Sequence, residues 1–286
     1  MTAVLVFFVI GTLFICPALS ALTDATRSLS TGNGLQYATA GVLAQFTVTA
    51  FEENIIRRTS GGDDFIVELA GTRSAQGSVI DNLDGSYQAT YTGTKSGAYE
   101  VSVKLLRQGG LVASYFENVW FFYTPVLVAV DPQINHDWGT GMLTPTATDY
   151  VSVRWQGKVK PLFTETFTFF VTSDDGAKLW VDNVPLVDRW DSYCNDTTAT
   201  IELKSNVFAD INLEYKEVVG TAVVRLFWGS NSIPKELVPS SSFYFEPHAA
   251  KSPFALMISP APTEQIATPV VLVLSLLAVQ IQTYKY

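Results

Sequence analysis

Residues 167–190 read Phe-Thr-Phe-Phe-Val-Thr-Ser-Asp-Asp-Gly-Ala-Lys-Leu-Trp-Val-Asp-Asn-Val-Pro-Leu-Val-Asp-Arg-Trp, alternating apolar segments interrupted by two adjacent carboxylates. Period-two alternation specifies strands with one buried face, which excludes an amphipathic helix for this stretch. Neighbouring side chains of an extended strand point to opposite faces, so Asp174 and Asp175 can reach one ion only where the backbone turns sharply. Gly176 supplies a permissive backbone for such a turn. Two carboxylates held together repel unless a cation lies between them, and calcium is the hard cation that accepts many oxygen ligands in irregular geometry. The competing reading is a plain hairpin turn, because Asp-Gly is a turn signal by itself. Further along, Asp182-Asn183 between Val181 and Val184 has the form of a two-residue hairpin turn.

The blocks around this segment are specific. Gly110-Leu111-Val112-Ala113-Ser114-Tyr115-Phe116-Glu117-Asn118, Ile134-Asn135-His136-Asp137-Trp138-Gly139 and Tyr150-Val151-Ser152-Val153-Arg154-Trp155-Gln156-Gly157 precede it. Leu213-Glu214-Tyr215-Lys216-Glu217, Gly220-Thr221-Ala222 and Val224-Arg225-Leu226-Phe227-Trp228 follow. With these motifs, residues 110–245 resemble the protective-antigen-type sugar-binding β-sandwich, the PA-fourteen domain of adhesins, some glycosidases and many extracellular modular proteins. The resemblance implies calcium held by an adjacent Asp pair joined through a cis peptide, with an Asn and carbonyls from a second loop. Asp174 and Asp175 fall on that pair, and Glu217 stands where the Asn aligns, in a short loop spanning residues 216–220. The implied metal ligands are therefore Asp174, Asp175 and Glu217. Trp190, Asp188 and Lys216 are the ligand-contacting candidates, Trp190 because aromatic rings stack on sugar faces and loops carry function.

Upstream, residues 41–48, 65–69, 86–91 and 98–105 each alternate apolar and polar positions, and short strands at this spacing point to a β-sandwich. Gly32-Asn33-Gly34-Leu35, Asp81-Asn82-Leu83-Asp84-Gly85-Ser86-Tyr87 and Gly97-Ala98-Tyr99-Glu100-Val101-Ser102-Val103 resemble a filamin-type repeat. In that repeat the last strand begins Ser-Pro-Phe. Here no such strand follows Leu105; Ser252-Pro253-Phe254 comes some 150 residues later, with Phe254, Leu256 and Ile258 alternating. The expected fold is all-β, a filamin-type immunoglobulin-like sandwich over 22–108, a protective-antigen-type sandwich inserted over 109–247, and a returning strand over 248–260. A tandem arrangement with a stray Ser-Pro-Phe is the alternative.

Residues 1–21 read as a signal peptide: an apolar run ends at small residues, although without basic residues ahead of it an uncleaved anchor stays open. Residues 261–286 hold a proline-containing linker and the apolar run 270–279, too short to cross a bilayer alone. That tail is open between a lipid-anchor signal, a free tail and the start of a further domain. Past the signal, Cys194 is the sole cysteine, which implies a free thiol or an intermolecular link. It adjoins Asn195-Asp196-Thr197, a glycosylation sequon within a Ser/Asn/Asp/Thr-rich stretch that reads as an exposed loop.

The chain is 48% hydrophobic and only 16% charged, with a formal net charge of -9, which argues against nucleic acid as a partner. His136 and His248 have no zinc-type spacing, and His136 reads as a packed or turn residue. Adjacent Asp residues on one loop are poorly placed to flank a glycosidic bond, so no enzymatic activity is expected. The expected function is extracellular or cell-surface recognition of a glycan or glycoprotein with calcium as cofactor, and other extracellular modular proteins as further partners. A non-catalytic structural spacer of an extracellular coat is the alternative.

Overall fold

The computed structural model describes residues 22–261. The stretch read as a signal peptide and the apolar run 270–279 lie outside the described residues.

Two β-sandwiches account for the described residues, each around its own apolar core. In the first, Thr23–Thr31, Ala44–Glu52, Ser86–Tyr91 and Ser78–Asp81 form one antiparallel sheet in that order. The facing sheet pairs Asp64–Gly71 with Gly97–Gln108. Alternation sends Phe46, Val48, Tyr87, Tyr91, Val101 and Val103 inward, each at most 2% exposed. Leu83 and Gly85, both at positive φ (63° and 80°), turn the chain into Ser86–Tyr91. A side chain at Gly85 would meet the Arg58 carbonyl oxygen at 2.1 Å, so this turn requires glycine.

From Gln108 the chain runs directly into the second sandwich. Phe254–Ser259 then pairs antiparallel with residues 97–101 and parallel with Tyr37–Thr39, burying Leu256 and Ile258 in the first core. The junction is a continuous ladder: Phe243–Phe245 pairs with Arg107 and Gln108 on one side and with Lys158 and Val159 on the other. Next to it, Glu246 accepts Lys104 at 3.1 Å and Lys158 at 3.0 Å.

The second sandwich is organised by one long hairpin, Glu165–Val181 and Val184–Leu203, joined by Asp182 and Asn183 at φ 51° and 61°, the geometry of a two-residue type I′ turn. Residues 168–174 pair with Ala222–Gly229, which also carries Asn135–Gly139. Residues 176–181 instead pair with Ala209–Glu217, followed by Val151–Val159, Leu111–Phe116 and Leu127–Asp131. The strand thus passes from one sheet to the other between Asp174 and Gly176. Trp155, Trp228, Phe167, Phe169, Leu179 and Tyr215 fill the space between the sheets.

The stretch around the sequon departs from the sequence expectation of a loop. Cys194 to Thr197 lie inside the strand Val184–Leu203, where Ser173 faces Cys194 but Val171 faces Thr197. Asn195 and Asp196 together oppose one residue, and Asp196 sits at φ 54°, a β-bulge. A bulge collects the same polar residues as a loop, which is why composition misread it. Asn195 remains exposed, whereas Cys194 is 2% exposed and free. The intermolecular link open to that thiol from the sequence would need the strand to lift.

Candidate acidic rim and its aromatic flank

At the point where the hairpin changes sheets, the backbones of its two arms press together. A Cβ on Gly176 would lie 2.0 Å from the Trp190 carbonyl oxygen, so the crossing needs a residue without a side chain immediately after the acidic pair. The peptide between Asp174 and Asp175 is cis. Asp174 is exposed and Asp175 half-buried. The Ser173 hydroxyl donates to the Asp175 carbonyl at 2.9 Å, and the Val218 N–H donates to Asp175 Oδ2 at 2.9 Å. Burial, then the charge of Asp175, pushes the Asp174 carboxyl above its ordinary value.

Glu217 closes the rim from the other side. It ends the strand Ala209–Glu217, in phase with Ile211, Leu213 and Tyr215, so its side chain points toward the core. It is 0% exposed, and Oε1 has no partner among the described residues. The Tyr215 hydroxyl donates to Oε2 at 2.9 Å and also touches the Asp174 carbonyl oxygen. Burial pushes the carboxyl up; the Tyr215 hydrogen bond only partly offsets it, and the charges of Asp175, Asp174 and Asp149 push further, to about 7. Burial first, and then the Glu217 charge, pushes the Tyr215 phenol up as well.

The structure adds two rim residues that sequence reading missed. Asp149 Oδ1 accepts the Gly220 N–H at 3.0 Å, fixing the loop after Glu217, and Tyr150 follows it, exposed, with φ 56°. Nothing near the doublet in sequence marks them; the strand pairing brings them there.

The rim is all oxygen: Asp174, Asp175, Glu217 and the carbonyls between them. Such a donor set fits a hard cation, and the unpartnered Glu217 Oε1 is an acceptor without a donor. Among the described residues, no group of three or more His, Cys, Asp or Glu is arranged to hold a metal through side chains alone. A cation here would draw on backbone carbonyls and water as well.

Trp190, Asp188 and Lys216 form a separate group on the outer face of the sheet. Lys216 Nζ and Lys178 Nζ lie 5.1 and 5.6 Å from the Trp190 ring, and Phe121 packs on that ring at 5.7 Å. Lys178 pairs with Asp188 at 3.2 Å and Lys216 with Asp191 at 3.1 Å. Lys216 and Glu217 are adjacent and therefore face opposite sides, so Lys216 does not neutralise the rim. The two groups meet through the backbone contact of Trp190 with Gly176.

His136 is packed between Trp138 and Trp155, ring centroids 4.7 and 5.6 Å away, with Nε2 3.1 Å from Asp131 Oδ2. That oxygen also accepts the Trp155 indole N–H at 2.7 Å and the Tyr115 hydroxyl at 3.0 Å.

A PA14 domain model matches residues 107–242, and a Filamin/ABP280 repeat model matches residues 22–109. Anti-sigma-I factor RsgI3 of Acetivibrio thermocellus is 42% identical over 139 residues, which are 47% of this chain and 21% of that protein. Among solved structures, an anti-sigma factor domain-containing protein from Clostridium clariflavum is 35% identical, with a TM-score of 0.46 over 48% of this chain and 47% of that one. A structure described as the PA14 sugar-binding domain from an RTX adhesin is 15% identical, with a TM-score of 0.39 over 50% of this chain and 99% of its own. The chain thus spans about a fifth of the length of RsgI3 and about half of the first of these structures.

Proposed function

We propose, from the premise that this chain carries a PA14 domain and a filamin-type immunoglobulin-like repeat, that it is a non-catalytic recognition protein of the cell exterior. Its ligand is a glycan or glycoprotein, bound through calcium at the rim of Asp174, Asp175 and Glu217. The observation that carries this reading is Glu217, a fully buried carboxylate with an unpartnered oxygen beside two aspartates. A buried acceptor without a donor is costly unless a ligand completes it. Calcium, when bound, offers open coordination positions to sugar hydroxyls. The chain's own residues do the rest: Val218 N–H orients Asp175, and the Tyr215 hydroxyl holds Glu217.

The PA14 domain, residues 109–247, is inserted ahead of the last strand of the filamin-type repeat, and residues 248–260 return to complete it. The pairing of Phe254–Ser259 with residues 97–101 supports this organisation. The repeat then serves as a mount, with Glu246 tied to both Lys104 and Lys158. Secretion, a glycan on Asn195 and assembly with other extracellular modular proteins belong to the same reading.

A second reading, a spacer without sugar binding, is favoured by Glu217 itself. A carboxyl with a pKa near 7 can stay protonated at neutral pH and leave the rim stable without an ion. Isothermal calorimetry of calcium into chelator-stripped protein separates the two. Heat that is absent from the Asp174→Ala/Asp175→Ala variant supports the calcium site; no heat and no change in Tm leaves the spacer.

A further inference from the structure

Residues 118–123 place three large aromatic side chains in solvent beside this rim. Trp120 is 63% exposed, Phe122 60% and Tyr123 93%. Exposed aromatics on a flexible loop would lose their ordering entropy on binding, but this loop is already fixed. Asn118 Oδ1 accepts the N–H groups of Trp120 (3.0 Å) and Phe122 (2.9 Å), and Asn118 Nδ2 donates to the Phe122 carbonyl at 2.9 Å. The Ser152 hydroxyl, from the adjacent strand, donates to the Asn118 carbonyl at 2.6 Å. Phe121 and Tyr123 are held at φ 58° and 67°, a backbone region that bulky residues occupy only when their surroundings impose it.

The rings of Trp120 and Phe122 lie 6.2 Å apart and within 27° of parallel, each still well exposed, so they offer adjacent faces and do not cover one another. Between them in sequence, Phe121 turns inward under the Arg154 guanidinium, 4.2 Å from its ring, and against Trp190. The backbone carbonyl of Trp190 in turn lies against Gly176, the residue after the acidic pair. The aromatic loop is therefore continuous with the rim.

We infer that the ligand is a neutral oligosaccharide longer than one sugar, with one residue at the acidic rim and further residues stacked on Trp120 and Phe122. This rests on the calcium-lectin reading above. Pyranose rings present C–H faces that pack on aromatic rings. The charges on this face are already matched: Arg154 with Glu214 at 2.8 Å, Lys178 with Asp188, and Lys216 with Asp191. No unmatched basic cluster is left among them to favour an anionic glycan or the polybasic attraction that holds a protein on an acidic bilayer.

The test uses the full chain with calcium on an array of neutral glycans, followed by titration of the strongest oligosaccharide and of its terminal monosaccharide. Trp120→Ala/Phe122→Ala should lower the oligosaccharide-to-monosaccharide affinity ratio roughly tenfold, the effect of losing a good ring contact or two. Asp175→Asn should abolish binding of both sugars. Glycan binding that is calcium-dependent but has the same ratio in the aromatic variant overturns this inference and leaves the lectin reading intact. An array blank for the wild type overturns both. Sedimentation with phosphatidylcholine/phosphatidylserine vesicles that is lost in the aromatic variant, with no change in the glycan ratio, overturns it in favour of a membrane surface.

Discussion

The second sandwich holds a half-buried carboxyl, Asp131, and a fully buried one, Glu217, at opposite ends of one column of rings, and their surroundings differ. The column runs Tyr115, Trp155, His136, Trp138, Tyr215, each ring 4.7 to 6.4 Å from the next. At one end Asp131 Oδ2 is surrounded by the Tyr115 hydroxyl, the Trp155 indole and the His136 ring. Burial pushes that carboxyl up, but these partners outweigh it and hold it below its ordinary value. At the other end Glu217 has one donor, an unpartnered oxygen and two aspartates as neighbours, and is pushed up. Two hydrogen-bond donors and the His136 ring thus surround the half-buried Asp131, whereas the fully buried Glu217 has a single donor. Under the calcium reading proposed above, the unpartnered Glu217 oxygen is the one left for a ligand, whereas Asp131 is already engaged by the packed rings.

The harshest test of that contrast is Asp131→Ala. It leaves the Trp155 N–H and Tyr115 O–H buried without an acceptor and should cost about 3 kcal/mol in urea unfolding at pH 7. Because the folded carboxyl lies below its ordinary range, its contribution is complete above the unfolded value near 4 and is lost as pH falls through the folded value. The gap between wild type and Asp131→Asn should therefore close as pH falls from the unfolded carboxylate value through the folded one. A gap that widens on acidification would mean that Asp131 is not held ionised, and the contrast with Glu217 would fail.

Next in size is calcium itself. At a hundredfold excess over Kd, an ion that binds only the folded state raises stability by about 2.7 kcal/mol. Thermal unfolding of the wild type should show that rise, and Asp174→Ala/Asp175→Ala should show none. An equal rise in the double variant would place the ion elsewhere.

Much of this contrast was written in the period-two pattern. The alternation of residues 167–181 and the Asp182-Asn183 turn specify the hairpin, and Phe254, Leu256 and Ile258 read as a half-buried strand. Glu217 was legible too, since it continues the inward phase of Ile211, Leu213 and Tyr215 across a strand end. What local pattern does not carry is the switch of partners between Asp174 and Gly176, which depends on strands about 40 and 50 residues away. Asp149, Tyr150 and the placement of Trp190 on the outer face depend on that switch. The aromatic run 120–123 carries no alternation that marks its exposed members, and the Asn118 clamp with positive φ at Phe121 and Tyr123 sets Trp120 and Phe122 outward.

Glu217→Gln should give a smaller effect of unusual sign. A carboxyl whose folded pKa is raised to about 7 from 4.5 contributes its stability below the unfolded value and loses it as pH rises toward 7. Gln keeps the shape without the titration. In the absence of calcium the variant should therefore overtake the wild type between pH 5 and 8, by on the order of 1 kcal/mol. The same variant should respond less to calcium. Equal stabilities across that range would show that Glu217 is not under charge pressure.

The finest probe is Tyr215→Phe, which removes only the hydroxyl at Glu217 Oε2 and at the Asp174 carbonyl. The hydrogen bond to Glu217 lowers its pKa, so without it the carboxyl moves still higher, and the loss of apoprotein stability that begins at the unfolded value continues to higher pH. At pH 5, where Glu217 is protonated in either protein, the two should differ by less than about 1 kcal/mol, the worth of one neutral hydrogen bond. At pH 8 the variant should be the weaker by a larger margin, and saturating calcium should narrow it, because a cation supplies the partner that the phenol no longer does. If calcium leaves the margin unchanged, the ion does not reach Glu217, and the rim binds through Asp174 and Asp175 alone.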